Sequence, residues 1–451
     1  MKFKPYPKYK ASGVDWLGEV PSTWDAKPLK RMTSVNDDVL PESTDPDDEI
    51  DYVDISSVSL EAGIRNVESI KFSAAPSRAR RRVCDGDVIV STVRTYLKAI
   101  APIRSPASNL IVSTGFAVIR PRDHFHPDFA RYSMQAGYFI EDVIARSTGI
   151  SYPAINATEL VAIKVAVPPI SEQGAISLFL DRETAKLDTL ISKQERLIEL
   201  LQEKRQAMIS HAVTKGLPLH GRGWSKTGGG TNSEVPMKDS GIEWLGMVPE
   251  HWAVGSLGYL SRIETGSTPE RSVQEYWNGD IPWIKTGEIN YTPINEAEEH
   301  ISELGLTNSA AKISPAGTLL MAMYGQGITR GRVAILGIAA AYNQACAAIS
   351  FGSRINVEFG RYFFMAAYAF IRDFGNETSQ MNLSSGLIAK IKLTIPPHSE
   401  QLTIIKYLDE VTVKIDKLLN RSRRNIDLMR EHRTALISAA VTGKIDVREA
   451  A

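Results

Sequence analysis

The chain has 451 residues, 52 Lys and Arg against 52 Asp and Glu, 43% apolar residues and two cysteines. This is room for more than one core and excludes wholesale disorder, while Cys84 and Cys346 are too few for a disulfide framework or a cysteine-built zinc site, which suits a reducing cytoplasm. The basic start MKFKPYPKYK leads into no apolar signal segment, the apolar stretch 333–351 is too short and polar to span a bilayer, and zero net charge argues against a basic tail around nucleic acid.

In chain order, the first feature is Ser12-Gly13-Val14-Asp15-Trp16-Leu17-Gly18, followed by Val20, Pro21 and Trp24. It returns as Ser240-Gly241-Ile242-Glu243-Trp244-Leu245-Gly246, followed by Val248, Pro249 and Trp252. Nine of the eighteen positions in 12–29 are identical at an offset of 228. Residues 37–61 hold ten acidic side chains and no basic one, the pattern of a solvated loop and strand edge. The first middle then mixes α and β. Residues 88–93, 116–119 and 163–167 have the apolar, β-branched character of short strands. Residues 128–144 carry a helical period whose aromatics Phe129, Tyr132 and Phe139 form a core stripe. Arg78, Arg80, Arg81, Arg82, Arg94, Lys98 and Arg104 face only Asp85 and Asp87 within 27 residues, a local patch suited to a polyanion.

A long helix is predicted next. Pro168-Pro169-Ile170-Ser171-Glu172-Gln173 opens it, with Ser171 expected to cap an acidic first turn. Apolar Ile176, Leu180, Leu187, Leu190, Leu197, Leu201 and Met208 alternate spacings of four and three, with Glu183, Gln194 and Lys204 filling the gaps. That is the seam of a coiled coil, about 60 Å long at about 1.5 Å per residue. Gly216 marks its stop, and 216–235 (with Gly228-Gly229-Gly230, His220 and Trp224) reads as a flexible linker.

The second middle has predicted strands at 319–323 and 390–395. A helical stretch at 357–374 carries Phe359, Tyr362, Phe363 and Phe370. Arg271, Lys285, Arg330 and Arg332 lie near Tyr276, Trp277, Trp283 and Tyr324 in sequence. The helix then repeats: Pro396-Pro397-His398-Ser399-Glu400-Gln401 opens a copy in which 23 of 47 positions match at the same offset of 228. Its seam is Ile404, Leu408, Val411, Ile415, Leu418, Met429 and Leu436, with polar Ser422, Asn425 and His432, and Gly443 as its stop. Neither amphipathic rod can bury its stripe alone. Antiparallel pairing of the two is expected, with pseudo-two-fold symmetry. The organisation is α/β (α+β): a domain at 1–169, a helix at 170–215, the linker at 216–235, a second domain at 236–397, a helix at 398–444 and a tail at 445–451. The middles align poorly without gaps. The halves therefore share a frame, and unlike middles suit unlike ligands.

Catalytic motifs are missing. No G-x-x-x-x-G-K-[ST] phosphate cradle exists, and the Pro-Pro pairs lack the Asn/Asp-Pro-Pro-aromatic context of an adenine methyltransferase. Gly325–Gly331 lacks dinucleotide-loop spacing, and His124 and His126 before Pro127 read as loop residues rather than metal ligands. No catalytic, cofactor or metal residues are assigned.

The repeated Ser-Gly-x-x-Trp-Leu-Gly-x-Val-Pro-x-x-Trp and Pro-Pro-x-x-Glu-Gln strings resemble the specificity subunit of Type I restriction–modification systems. So do Thr265-Gly266-Ser267-Thr268-Pro269, Tyr276-Trp277-Asn278-Gly279-Asp280-Ile281-Pro282-Trp283, Met323-Tyr324-Gly325 and Asn343-Gln344-Ala345-Cys346 of the second half. The first half lacks the Gly-x-Thr-Pro and Tyr-Trp-Asn-Gly-Asp strings. The resemblance implies two target-recognition domains, each reading half of a split, asymmetric site in double-stranded DNA, with the helices as spacer. It implies a non-catalytic chain that binds two methylation subunits holding S-adenosylmethionine. Restriction subunits using ATP and Mg would join them. DNA-facing candidates are Arg94, Thr95, Tyr96 and Lys98, with the turn Ser151-Tyr152, in the first half. In the second they are Tyr324, Gln326, Thr329 and Arg330, with the turn holding Gln380 and Asn382. The rival readings are a two-domain scaffold for a ligand other than DNA and a self-contained methyltransferase.

Overall fold

The computed structural model describes residues 4–217, 235–324, 328–373 and 382–448. It forms two compact units, Met1–Glu195 with Arg423–Ala451, and Arg196–Ser422. His220, Trp224 and the triple glycine of the linker lie outside the described residues.

The first unit opens with a hairpin of Tyr9–Ala11 against Glu19–Pro21. The Ser12 amide donates to Gly18 O (2.9 Å), and Ser12 Oγ accepts from the Val14 amide (3.1 Å). Gly13 and Gly18 take φ of +69° and +63°, which a Cβ would strain. Below it, Trp24 is fully buried. One antiparallel sheet runs in the order Ile100–Pro102, Val88–Ser91, Phe116–Pro121, Thr33–Val35. A second runs Glu68–Lys71, Glu49–Val53, Leu110–Ser113, Ala79–Arg82, with its central pair parallel. Helical periodicity expected across 128–144 is realised as two helices, Pro127–Gln135 and Gly137–Arg146. Ala136 turns the chain with ψ of +142°, and this lets Phe129, Tyr132 and Phe139 all enter one core.

The second unit repeats the hairpin with Met237–Asp239 and Met247–Pro249, and the same pair of hydrogen bonds at Ser240. Its four-stranded sheet runs Val333–Ile335, Leu319–Ala322, Cys346–Phe351, Ser261–Thr265. That is the strand order of the first unit, although the sequences of the middles barely align. The second sheet, Glu299–Ile301, Trp277–Ile284, Ala341–Tyr342, again pairs antiparallel and then parallel.

The two long helices span Ile170–Lys215 and His398–Val441, and Gly216 (φ +81°) and Gly443 (φ +72°) follow their ends. Within the first unit Asp188 pairs with Arg433 and Glu195 with Arg430. Within the second, Arg205 pairs with Asp416 and Met208 packs with Ile415 and Leu419. In the first unit's pairs, numbers rise along one helix as they fall along the other, so the pairing is antiparallel.

The seam departs from the expected one. Leu190, Leu197 and Leu418 are exposed, while Leu419 and Ile426 are buried. A straight α-helix drifts about 20° per heptad against a 3.5-residue repeat, so the inward position moves by one residue. Each core also takes the last turns of the helix from the other repeat. Leu436, Ile437, Ala440 and Val441 join Trp24 and Ile176 in the first, and Ile209, Ala212 and Val213 join Trp252 and Ile404 in the second.

The Pro-Pro-x-x-Glu-Gln strings begin these helices differently from expectation. Each helix starts before its serine, so Ser171 lies inside the first turn rather than capping it. Buried Gln173 does the joining: it donates to Pro168 O (2.9 Å) and His124 O (3.3 Å) and accepts from the His126 amide (2.8 Å). Gln401 donates to Pro396 O (2.9 Å) and Arg354 O (2.8 Å) and accepts from the Asn356 amide (2.8 Å). About two turns further, the Tyr132 hydroxyl donates to Asp181 (2.8 Å) and that of Tyr362 to Asp409 (2.6 Å). Much of the identity between the two helices therefore fastens each to its own domain.

The glycine stops differ in what they tolerate. A Cβ on Gly443 would lie 2.4 Å from Pro21 Cδ, whereas one on Gly216 would meet Trp252 at 3.4 Å. We expect Gly443→Ala to cost about 2–4 kcal/mol through clash and left-handed strain. Gly216→Ala should cost about 1 kcal/mol from strain alone. Urea midpoints of the two variants check the order.

Candidate nucleic-acid interface

The sequence made the stretch 78–104 look basic, but several of its cations are already engaged. Arg78 donates to the Tyr52 hydroxyl (3.1 Å) and Asp54 (2.8 Å), and these partners raise its pKa. Arg104 pairs with Asp128, and Arg80 lies over the Phe72 ring at 4.7 Å. Burial pushes the Arg81 pKa down. In the second unit Arg271 sits 3.9 Å from the centre of the Trp277 ring and pairs with Glu299, while Lys285 pairs with Glu298 and Glu299. The basic runs are thus largely internal scaffolding, and attention moves to the loops at the strand ends.

In the first unit, strand Val88–Ser91 feeds a loop in which Thr95–Leu97 form one 3-10 turn. Arg94 and Lys98 flank it, both in the left-handed region at φ +51° and +52°. Non-glycine residues seldom adopt it, and such strain clusters where a loop has a task. The loop is tied to residues 147–155. The Ile155 amide donates to Thr92 O (2.9 Å), Val93 bridges Ala154, and Thr95 Oγ1 donates to Ser147 Oγ (2.8 Å). Arg94 lies 4.9 Å from the centre of the Tyr152 ring. The structure therefore brings together Arg94, Thr95, Tyr96, Lys98, Ser151 and Tyr152, which the sequence places more than fifty residues apart.

Thr95 needs correcting within that set. It is only 3% exposed and spends its hydroxyl inward, so it anchors the loop instead of facing DNA. Tyr96 (52%) and Tyr152 (65%) face outward, with Arg94, Lys98 and Ser151 also exposed. Sequence reasoning missed Leu97 and Ile150, exposed apolar residues of the same two loops. Loop residues have no periodicity to betray them; the only signal was the charge-free run 147–156 around Gly149.

The second unit keeps the same tie. The Leu383 amide donates to Met323 O (3.1 Å), the counterpart of Ile155 on Thr92. Tyr324, Ile328 and Asn382 are exposed and Thr329 half-buried, while Gln326 and Gln380 lie outside the described residues. Arg330, expected to face DNA, is instead 6% exposed; burial lowers its pKa, with Asp373 acting the other way. It belongs to the packing beneath the loop. The same loop places the Gly331 Cα against Ile371, where a Cβ would come within 3.0 Å of Ile371 Cγ2.

Among the described residues no group of three or more His, Cys, Asp and Glu is placed to hold a metal ion. His126 Nδ1 accepts from the Asp128 amide (3.3 Å), making it a helix cap. Among the same residues no helix is long and apolar enough to cross a membrane.

Residues 249–426 match the model of the Type I restriction modification DNA specificity domain. The chain is 22% identical over 466 residues to the Type I restriction enzyme MjaIX specificity subunit of Methanocaldococcus jannaschii, covering 100% of this chain and 99% of the relative. It is also 22% identical to the HindI specificity subunit of Haemophilus influenzae, over 86% of this chain and 91% of that one. Its fold is similar to that of a chain solved in a study of complex assembly and conformational transition of the type I R-M system (TM-score 0.69, 20% identity, 94% of this chain and 98% of that one). It is similar too to the HsdS subunit from Thermoanaerobacter tengcongensis (TM-score 0.53, 19% identity, 94% and 98%).

Proposed function

We propose that this chain, similar over almost its whole length to specificity subunits of Type I restriction–modification systems, is such a subunit and that each of its two units reads one half of a split, asymmetric site in double-stranded DNA. The paired helices set the spacing of the halves and dock two methylation subunits. Those partners bring S-adenosylmethionine and methylate adenine, and restriction subunits bring ATP and Mg. The chain itself supplies recognition and no catalytic group.

One observation carries this reading. The two units share strand order and the hydrogen bond that ties the strand-end loop to the second turn. The side chains displayed there differ: Arg94, Tyr96 and Tyr152 in one, Tyr324, Ile328 and Asn382 in the other. A common frame with unlike loops suits one duplex read at two unlike half-sites, since phosphates position and base edges specify.

The test is to co-purify the chain with the products of its neighbouring genes and map methylated adenines across the host genome. A split motif with two unlike halves is expected; a continuous motif, or no motif, overturns the reading. Salt dependence gives a second check. Arg94→Ala and Lys98→Ala should each lower the slope of log affinity against log salt by about 1 if these cations meet phosphates. A scaffold for a ligand other than DNA predicts no steep salt dependence even with the partners present.

A further inference from the structure

The turn 147–152 has an unusual surface. Ile150 is 103% exposed, fully offered to solvent at its crest. Beside it stands Tyr152, and Tyr96 and Leu97 project from the loop to which the turn is fastened. Single exposed apolar residues are ordinary, but four on two tied loops are not scattered singly. The support beneath them is stiff. Thr148 and Ala154 exchange both backbone hydrogen bonds (2.9 Å each), and Gly149 turns with φ of +107°. Ser147 Oγ, which accepts from Thr95, donates in turn to Val143 O (2.7 Å) of the helix Gly137–Arg146. Residues 92–98 contain Arg94 and Lys98 and no acid, and 147–156 contain no charge at all. An apolar crest on a rigid base, flanked by cations and free of carboxylates in its own loops, is complementary to a polyanion with an apolar interior.

We propose that Ile150 is a wedge that enters the base stack of the half-site read by the first unit, while Arg94 and Lys98 meet the flanking phosphates. This rests on the DNA-binding reading above and deepens it. Inserted apolar side chains unstack a base step and kink the duplex, and the ease of unstacking depends on the step. Part of the sequence preference of this half-site then comes from how readily one step opens, at a position where no hydrogen bond is made to a base edge. In sequence the corresponding stretch of the second half, 375–380, holds no apolar side chain, so the proposal concerns the first unit's half-site alone.

The experiment uses the complex of the full chain with its methylation subunits. The probe is a set of duplexes bearing the mapped split motif, with 2-aminopurine placed in turn at each position of both halves. Leaving aside the adenines that the methylation subunits take out of the stack, fluorescence should rise several-fold on binding at one step of the first unit's half-site and nowhere else. Swapping the middles between relatives of known halves assigns which half that is. Ile150→Ala, on an exposed crest that no core depends on, should abolish the rise and weaken binding about tenfold, as expected from losing one buried aliphatic side chain. Ile150→Leu should retain both. Binding to the split motif with no fluorescence rise at any step other than the methylated adenines, or a rise at such a step that survives Ile150→Ala, overturns the wedge and leaves the DNA-binding reading standing. Failure of the complex to bind the mapped motif overturns both.

Discussion

Asp87→Ala should destabilise the first unit by about 3–5 kcal/mol, the cost of leaving a partly buried charge without its partner. Asp87 has no solvent exposure; it accepts from Arg120 Nε and Nη2 at 2.8 Å each and from the Cys84 amide at 2.7 Å. Removing the carboxylate strands the guanidinium and the amide together. Asp87→Asn keeps the shape and one acceptor, so it should cost less than Asp87→Ala. The loss will appear in urea unfolding and in faster proteolysis of residues 79–121, with the second unit unaffected. There the equivalent-looking position is Thr318, whose hydroxyl donates to Pro315 O instead. Because strand Val88–Ser91 delivers the Arg94 loop, DNA affinity should fall with stability. A loss under about 1 kcal/mol would mean that Arg120 finds water readily, and the pair would rank with surface ion pairs.

Gln173→Leu and Gln401→Leu should each cost about 2–4 kcal/mol, from two carbonyls and one amide left unpaired at a buried joint. Leucine is close to glutamine in volume, so a cavity is not the cause. Each variant loosens one long helix from its own domain while the helix itself persists. Near-UV circular dichroism should therefore fall more than the helical far-UV signal. The two residues share no partners, so the double variant should lose the sum of the two within about 0.5 kcal/mol. A large loss at one glutamine and none at the other would contradict the equivalence of the two joints, which rests on the same three hydrogen bonds in each.

The opening charge balance now has a structural account. Zero net charge averages an acidic run at 37–61, mixed-charge helices, and arginines that mostly pair within their own unit. Counting cations in the sequence overstated the phosphate-facing surface. Arg78, Arg104 and Arg271 meet carboxylates contributed from other parts of the chain, and no local window reveals those partners. The candidate site was legible as two pairs of loops, because strand ends and turns announce themselves through composition. Thr95 and Arg330 were misplaced because exposure within a loop depends on what packs below it. The Arg-Tyr pair that grips each helix also escaped notice. Arg131-Tyr132 and Arg361-Tyr362 are related by 230, two residues off the register of the rest of the frame.

What the sequence determined by itself was everything written in local periodicity and repetition. It gave the doubling at an offset of 228, the approximate bounds of two helices with no internal proline, the glycines that end them, and the resemblance to Type I specificity subunits. Tertiary structure alone decided that the poorly aligned middles have one strand order, that the helix seam drifts a residue from its heptad, and that each core is closed by the far end of the other repeat's helix. The physical reason is the same for all three. Helix bounds follow from hydrogen bonds four residues apart, which a short window encodes. Sheet order, seam rotation and core closure follow from burying apolar surface against partners a hundred or more residues away, where many sequences give one arrangement.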